Sequence, residues 1–107
     1  MSKSKIAVEL EQAEKNQREG FEGRARVCAR RAVGIAILDY FNRRHLPVAG
    51  LNTLGLIQAF KDLPEISPEM RRCAEVLLLR VNEAHQLPEN IDLIAVARWL
   101  VQELESR

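Results

Sequence analysis

The sequence contains few cysteines and histidines, and none of them forms a recognisable metal or redox pattern. Cys28 and Cys73 are the only cysteines among 107 residues, and neither belongs to a CxxC element or a Cys/His cluster. Each lies within an apolar helical pattern, so we expect two buried thiols, with a single disulfide between them as the open alternative. His45 and His85 lie on different segments, so the sequence predicts no metal site and no cofactor.

Long apolar runs are also missing. No window approaches the ~20 apolar residues that a membrane-spanning helix needs. The N-terminal residues have too few apolar positions before Glu9 for the apolar region of a secretory leader. We therefore expect a protein without a membrane segment, located in the reducing cytoplasm.

The motifs of several large enzyme classes are absent. The chain has no phosphate-binding loop, GxGxxG, HExxH or GxSxG motif, and no EF-hand loop. Lys and Arg number 16 against 15 Asp and Glu, a formal charge of +1. This balance argues against a protein that binds polyanions through bulk charge, so any nucleic-acid role has to be local.

The apolar residues follow a helical period throughout. No segment alternates apolar and polar residues with period two, and no Asn-Gly or Asp-Gly pair indicates a hairpin, so strands are not expected. The predicted helices cover residues 4–19, 24–44, 53–61 and 68–85, and a last helix begins at the cap candidate Asn90. With 47% hydrophobic residues, we predict a single all-α domain over 1–107. Its architecture is an up-and-down four-helix bundle with a short additional helix.

Helix boundaries are indicated by residues with a known conformational preference. Gly20 and Gly23 bracket the turn between the first two helices, because glycine lowers helix propensity and adopts left-handed turns. Asn52 is suited to cap the short helix. Ser67 and Pro68 together form the clearest helix start, with a capping hydroxyl followed by proline at the first helical position.

The second predicted helix has two apolar faces. One is a ridge of small residues that allows a neighbouring helix to approach closely: Ala25, Ala29, Ala32 and Ala36. The other is a stripe on the opposite side: Val27, Gly34, Leu38 and Phe41. Either another helix of the chain covers this stripe, or it is the interface with a second copy in a homodimer.

Four arginines lie beside this stripe: Arg24, Arg26, Arg30 and Arg31. We expect them to be solvated or to lie at an interface. Arg24 and Arg31 are the candidate binding residues of an arginine-bordered groove, because guanidinium groups hold phosphates and carboxylates through paired hydrogen bonds.

Arg80 and His85 have the chemistry that metal-free RNA cleavage requires. An arginine holds a phosphodiester, and a histidine that titrates near neutrality moves a proton to or from a ribose hydroxyl or a leaving oxygen. In a regular helix the two side chains diverge by about 140°, so a joint site needs the helix to end near His85. The alternative is structural: Arg80 pairs with a surface carboxylate, and His85 interacts with the helix dipole.

The alanine-rich stretch 24–32 and the Arg-x4-His element 80–85 together resemble a HEPN domain, a family named for nucleotide binding in higher eukaryotes and prokaryotes. The resemblance covers essentially the whole chain. It implies a helical bundle, often dimeric, whose members include metal-independent ribonucleases and partners of nucleotidyltransferases in toxin–antitoxin or defence systems. By this resemblance Arg80 would hold the scissile phosphate, His85 would be the general acid or base, and Asn82 a supporting donor.

One departure from the family pattern favours the first of two functions. Active members usually place a polar residue directly after the motif arginine, where this chain has Val81. We therefore expect a HEPN-like binding module that self-associates and contacts a nucleotidyltransferase or a nucleotide. The alternative is a metal-independent endoribonuclease of toxin or defence type that uses the Arg-x4-His element.

Overall fold

The computed structural model describes residues 4–79 and 91–107, which form five α-helices. The helices are α1 (Lys5–Arg18), α2 (Glu22–Arg43), α3 (Thr53–Lys61), α4 (Pro68–Leu77) and α5 (Leu93–Glu105). Neither described range contains a strand. The predicted all-α fold, a helical bundle with a short extra helix, is confirmed. Within these two ranges, no helix is both long enough and apolar enough to cross a membrane.

The longest helix, α2, has its main packing contacts with three of the others. It packs against α1, α3 and α5, while α4 contacts both α3 and α5. A single apolar cluster contains residues of all five helices. The predicted alanine ridge lies in this cluster, since Ala25, Ala29, Ala32 and Ala36 are all buried. Small side chains on this ridge allow close packing of the neighbouring helices.

Side-chain caps begin four of the helices. Ser4, Asn52, Ser67 and Asp92 each accept a hydrogen bond from the backbone N–H three residues later. Such a cap satisfies one of the free N–H groups of a first turn and contributes about 1 kcal/mol. The caps at Asn52 and Ser67 confirm the prediction. Gly20, with φ of 86°, forms the left-handed turn between α1 and α2.

Two predicted helix boundaries in the C-terminal half of the chain are wrong. The fourth helix ends at Leu77 rather than near His85, and Asp92, not Asn90, caps the last helix. Asn90 itself lies outside the described residues. On the short helix α3, Leu54 is 52% exposed, while Leu56 is buried.

Three arginines donate hydrogen bonds to carbonyl groups at the C-terminal ends of other helices. Arg30 donates to the carbonyl oxygens of Leu77 and Leu79 at the end of α4, at 2.7 and 3.0 Å. At the end of α3, Arg71 donates to the carbonyls of Lys61 and Leu63. At the end of α5, Arg43 donates to the carbonyls of Leu104 and Arg107. Each guanidinium satisfies carbonyls that a helix end leaves free and places a cation at the negative end of the dipole.

Both cysteines are free thiols. Cys28 is buried as predicted, and its Sγ accepts a hydrogen bond from the Asn16 amide at 3.8 Å. Cys73 is only partly buried. Burial raises the pKa of both thiols, and the carboxylate of Glu9 raises the pKa of Cys28 further. A raised pKa keeps both groups protonated and poorly nucleophilic at neutral pH.

Candidate anion-binding groove

A groove of about 870 Å³ opens between the first half of α2, the start of α3 and the end of α4. The residues that line it combine arginines, two neutral polar groups and apolar side chains: Gly23, Arg26, Val27, Arg30, Arg31, Thr53, Leu54, Gln58, Leu78 and Leu79. This volume falls within the usual range of ligand pockets. The lining contains three cations and no aspartate or glutamate among the described residues.

The position of α3 relative to α2 depends on Gly34. A Cβ atom at Gly34 would lie 3.1 Å from Cγ2 and 3.6 Å from Cα of Thr53. The missing side chain therefore allows the first turn of α3 to approach α2 closely. Since Thr53 also lines the groove, this contact determines the position of the groove residues on α3.

Arg30 forms part of the groove and part of the fold. Its Nε donates a hydrogen bond to the carbonyl of Leu77, and one of its terminal nitrogens donates to the carbonyl of Leu79. Burial lowers the pKa of Arg30, and the positive charge of Arg26 four residues earlier lowers that pKa further. Arginine nevertheless stays protonated at physiological pH. Arg30 is thus a fixed cation beside the end of α4.

Arg26 and Arg31 differ from Arg30, whose guanidinium donates to two backbone carbonyls, because they have neither a carbonyl acceptor nor an acidic partner in the described part of the chain. The ion pairs among the described residues join other side chains: Arg43 to Asp39, Arg98 to Glu14 and Arg107 to Glu103. Arg26 is partly exposed and Arg31 is exposed. Two guanidinium groups with free hydrogen-bond donors therefore face a groove whose remaining walls are largely apolar.

The predicted binding residues lie in different places. Arg31 lines the groove, as an arginine-bordered groove requires. Arg24 lies outside it, with its guanidinium 4.6 Å from the centre of the Phe21 ring. Sequence reasoning left Arg26 and Arg30 out of the predicted site. Their i, i+4 spacing, which places them on one face of a helix, was the signal that could have found them.

The predicted interface stripe is not one continuous exposed surface. Gly34 and Phe41 are buried inside the chain, Gly34 against the start of α3. This corrects their assignment to an interface with a second copy, because another helix of the same chain already covers Gly34. Val27 and Leu38 remain exposed, at 44% and 37%.

The predicted catalytic residues Arg80, Asn82 and His85 lie outside the described residues. Leu79, which precedes them, lines the groove. No group of three potential metal ligands occurs within 4–79 and 91–107. The described lining offers hydrogen-bonding cations beside apolar side chains.

Comparison with known proteins adds no relative to this description. No protein-family model, curated protein or solved structure matches the chain.

Proposed function

We propose that this chain is a HEPN-like binding module that holds an anionic partner in the groove between α2, α3 and α4. The observation that carries the proposal is the set of three arginines, Arg26, Arg30 and Arg31, in a lining without a carboxylate among the described residues. Guanidinium groups form strong, paired hydrogen bonds with carboxylates and phosphates. Close to an apolar wall these bonds are less weakened by water than on an open surface.

The electrostatics of the groove support an anionic ligand. Arg26 and Arg30 repel each other, which is one cause of the lowered pKa of Arg30. This repulsion does not stabilise the folded chain, and a bound anion would offset it. Because the whole chain carries a formal charge of only +1, the attraction is local to the groove and does not depend on a highly basic protein.

The resemblance to the HEPN family suggests where the anion comes from. It favours a nucleotide or RNA, or an acidic surface on a protein partner such as a nucleotidyltransferase, in the cytoplasm. The same resemblance favours a homodimer. Because Gly34 and Phe41 are buried within the chain, only Val27 and Leu38 of the stripe are exposed for contact with a second copy.

The proposal is tested by fluorescence anisotropy with two labelled anions, a short single-stranded RNA and an oligoglutamate peptide. The variant is Arg26→Glu with Arg31→Glu. Its matched control is Lys5→Glu with Arg72→Glu, which changes the net charge equally at two exposed positions that do not line the groove. We expect the groove variant to weaken binding of at least one probe by about tenfold or more, and the control to change it little.

Two results would contradict the proposal. The first is that neither probe binds. The second is that the two double variants weaken binding equally, because equal losses would show an effect of net charge alone. The same assay, run in EDTA, tests the endoribonuclease alternative. Cleavage of the RNA that is lost in His85→Ala would support an enzyme instead of a binding module.

A further inference from the structure

Two arginines bind helix ends in the same way, and only one of them lines the groove. Arg30 donates from Nε and Nη2 to the carbonyls of Leu77 and Leu79 at the end of α4, at 2.7 and 3.0 Å. Arg71 donates from the same two nitrogens to two carbonyls at the end of α3, at 3.1 and 2.7 Å. Both side chains are partly buried. Arg30 is a lining residue of the groove, and Arg71 is not.

The hydrogen bonds of Arg30 leave donors for a ligand. A guanidinium group has five N–H donors, and the two carbonyls take one from Nε and one from Nη2. Within residues 4–79 and 91–107, Nη1 of Arg30 has no hydrogen-bond partner. An anion in the groove can therefore accept hydrogen bonds from Arg30 while the bonds to the end of α4 stay in place.

The end of α4 prepares Arg30 for an anion. An unrestrained arginine side chain loses rotamer entropy when a ligand fixes it. The bonds to Leu77 and Leu79 already fix the guanidinium, so an anion that binds Arg30 avoids most of this cost. Arg30 also offsets the partial negative charge of the helix end, which would otherwise repel an anion. Both effects favour binding while the end of α4 is in place.

We propose that a bound anion in the groove and the C-terminal end of α4 stabilise each other through Arg30. This inference rests on the proposed function, because it describes how occupancy of the same groove is transmitted to a helix end. Such coupling is reciprocal: if the ordered end of α4 strengthens binding, the bound anion stabilises that end by the same factor. Arg30 is thus a positioning residue. Arg71 does not line the groove, so the end of α3 should not respond to the anion.

The test compares hydrogen exchange of backbone amides at the ends of α4 and α3, followed by NMR with and without the short RNA or oligoglutamate. The reporters at α4 are Leu78 and Leu79, and the control reporters at α3 are Asp62 and Leu63. All four N–H groups donate to carbonyls of the preceding helical turn. With the probe at about ten times its Kd, full coupling slows exchange about elevenfold. We expect exchange at α4 to slow by about threefold to tenfold, and exchange at α3 to change by less than about twofold.

A variant separates this coupling from direct cover by the ligand, because Leu78 and Leu79 themselves line the groove. Arg30→Lys keeps the charge, but lysine lacks the planar fork of donors that holds two carbonyls and an anion in a fixed geometry. We expect saturating probe to slow the exchange of Leu78 and Leu79 no longer in this variant. The matched control is Arg71→Lys, in which the slowing at α4 should be intact. Slowing that persists in Arg30→Lys would overturn the inference.

The two proposals fail in different ways. If a probe binds through Arg26 and Arg31, yet exchange at the end of α4 is unchanged or slows equally at the end of α3, the proposed function stands and the coupling is wrong. Faster exchange at α4 would also overturn the coupling, because it would mean that the anion takes Arg30 from the carbonyls. If neither probe distinguishes the Arg26→Glu and Arg31→Glu double variant from its control, both proposals are wrong.

Discussion

The two ends of α2 use their arginines differently. Near its C-terminal end, Arg43 is 3.2 Å from the carboxylate of Asp39 and also donates to the carbonyls of Leu104 and Arg107. In its first half, Arg26 and Arg31 line a groove and have no acidic partner among the described residues. The charge of Arg43 is explained by the fold it supports. The charges of Arg26 and Arg31 are not, and this difference is the reason to assign them to a ligand.

Arg30 connects the two patterns. It lies in the groove beside Arg26, yet its guanidinium holds the end of α4 in the way that Arg43 holds the end of α5. The comparison therefore predicts that neighbouring arginines of one helix turn contribute to different properties, Arg30 to stability and Arg26 to binding. Substitutions can test this division directly.

The largest effect is expected where α3 meets α2. Gly34→Leu should destabilise the chain by about 3 kcal/mol, because its side chain would collide with Thr53 and displace α3. The measurement is chemical denaturation, with Gly23→Leu as the control. Gly23 lines the groove, and a Cβ there would meet only the end of the Arg26 side chain, at an ordinary contact distance of 3.8 Å, so leucine there should leave stability unchanged or raise it through helix propensity. Equal losses at the two glycines would contradict the close contact of α2 with α3.

The next effect separates Arg30 from Arg26. Arg30→Gln should lower the free energy of unfolding by about 2 kcal/mol, because it removes charged hydrogen bonds to two carbonyls at the end of α4. Arg26→Gln should change stability by less than about 0.5 kcal/mol, since it loses no described hydrogen bond and relieves repulsion with Arg30. Denaturation curves of both variants provide the check. A stability loss for Arg26→Gln as large as that for Arg30→Gln would remove the distinction between them.

A smaller effect concerns the thiols and pH. Both thiols have their pKa raised above the usual 9.0 in the folded chain, chiefly by burial. The unfolded chain therefore loses these protons first, so the stabilisation present below pH 9 declines as pH rises through the folded-state pKa values. We expect the wild type to lose more stability between neutral pH and pH 10 than Cys28→Ala with Cys73→Ala. Identical pH profiles would show that neither thiol is shielded from water.

The smallest effect is expected where α2 ends. His45 has a φ of 56°, in the left-handed region that most side chains avoid. His45→Gly should raise the free energy of unfolding by about 0.5 kcal/mol, the relief of strain less the greater entropy of glycine in the unfolded chain. The change should not alter anion binding, because His45 does not line the groove. A clear loss of stability would mean that the imidazole makes a contact that stabilises the turn.

Local signals in the sequence predicted much of the fold. The caps at Asn52 and Ser67 and the alanine ridge depend on nearest neighbours and helical spacing, and all of them are present in the structure. The C-terminal end of α4 could not be predicted from such local signals. The apolar pattern continues past Leu77, but a guanidinium 47 residues away takes its carbonyl oxygen.

The groove was only partly accessible from sequence. The sequence shows that arginines lie beside an apolar stripe, and Arg31 was one of the two predicted binding residues. Their arrangement around a cavity depends on how α3 docks at Gly34, which is a tertiary contact between residues far apart in the chain. Burial of Phe41 in the core depends on tertiary packing in the same way.

The most direct test of the central claim is an NMR titration that follows the backbone amides of the isotopically labelled chain as oligoglutamate or short RNA is added. The account predicts that the largest shifts occur at groove residues on all three elements, such as Gly23, Thr53 and Leu78, and that they vanish in Arg26→Glu with Arg31→Glu. Shifts centred instead on α1 and α5, around the ion pair of Arg98 with Glu14, would contradict it, because an arginine that already has an acidic partner would then be the one that binds anions.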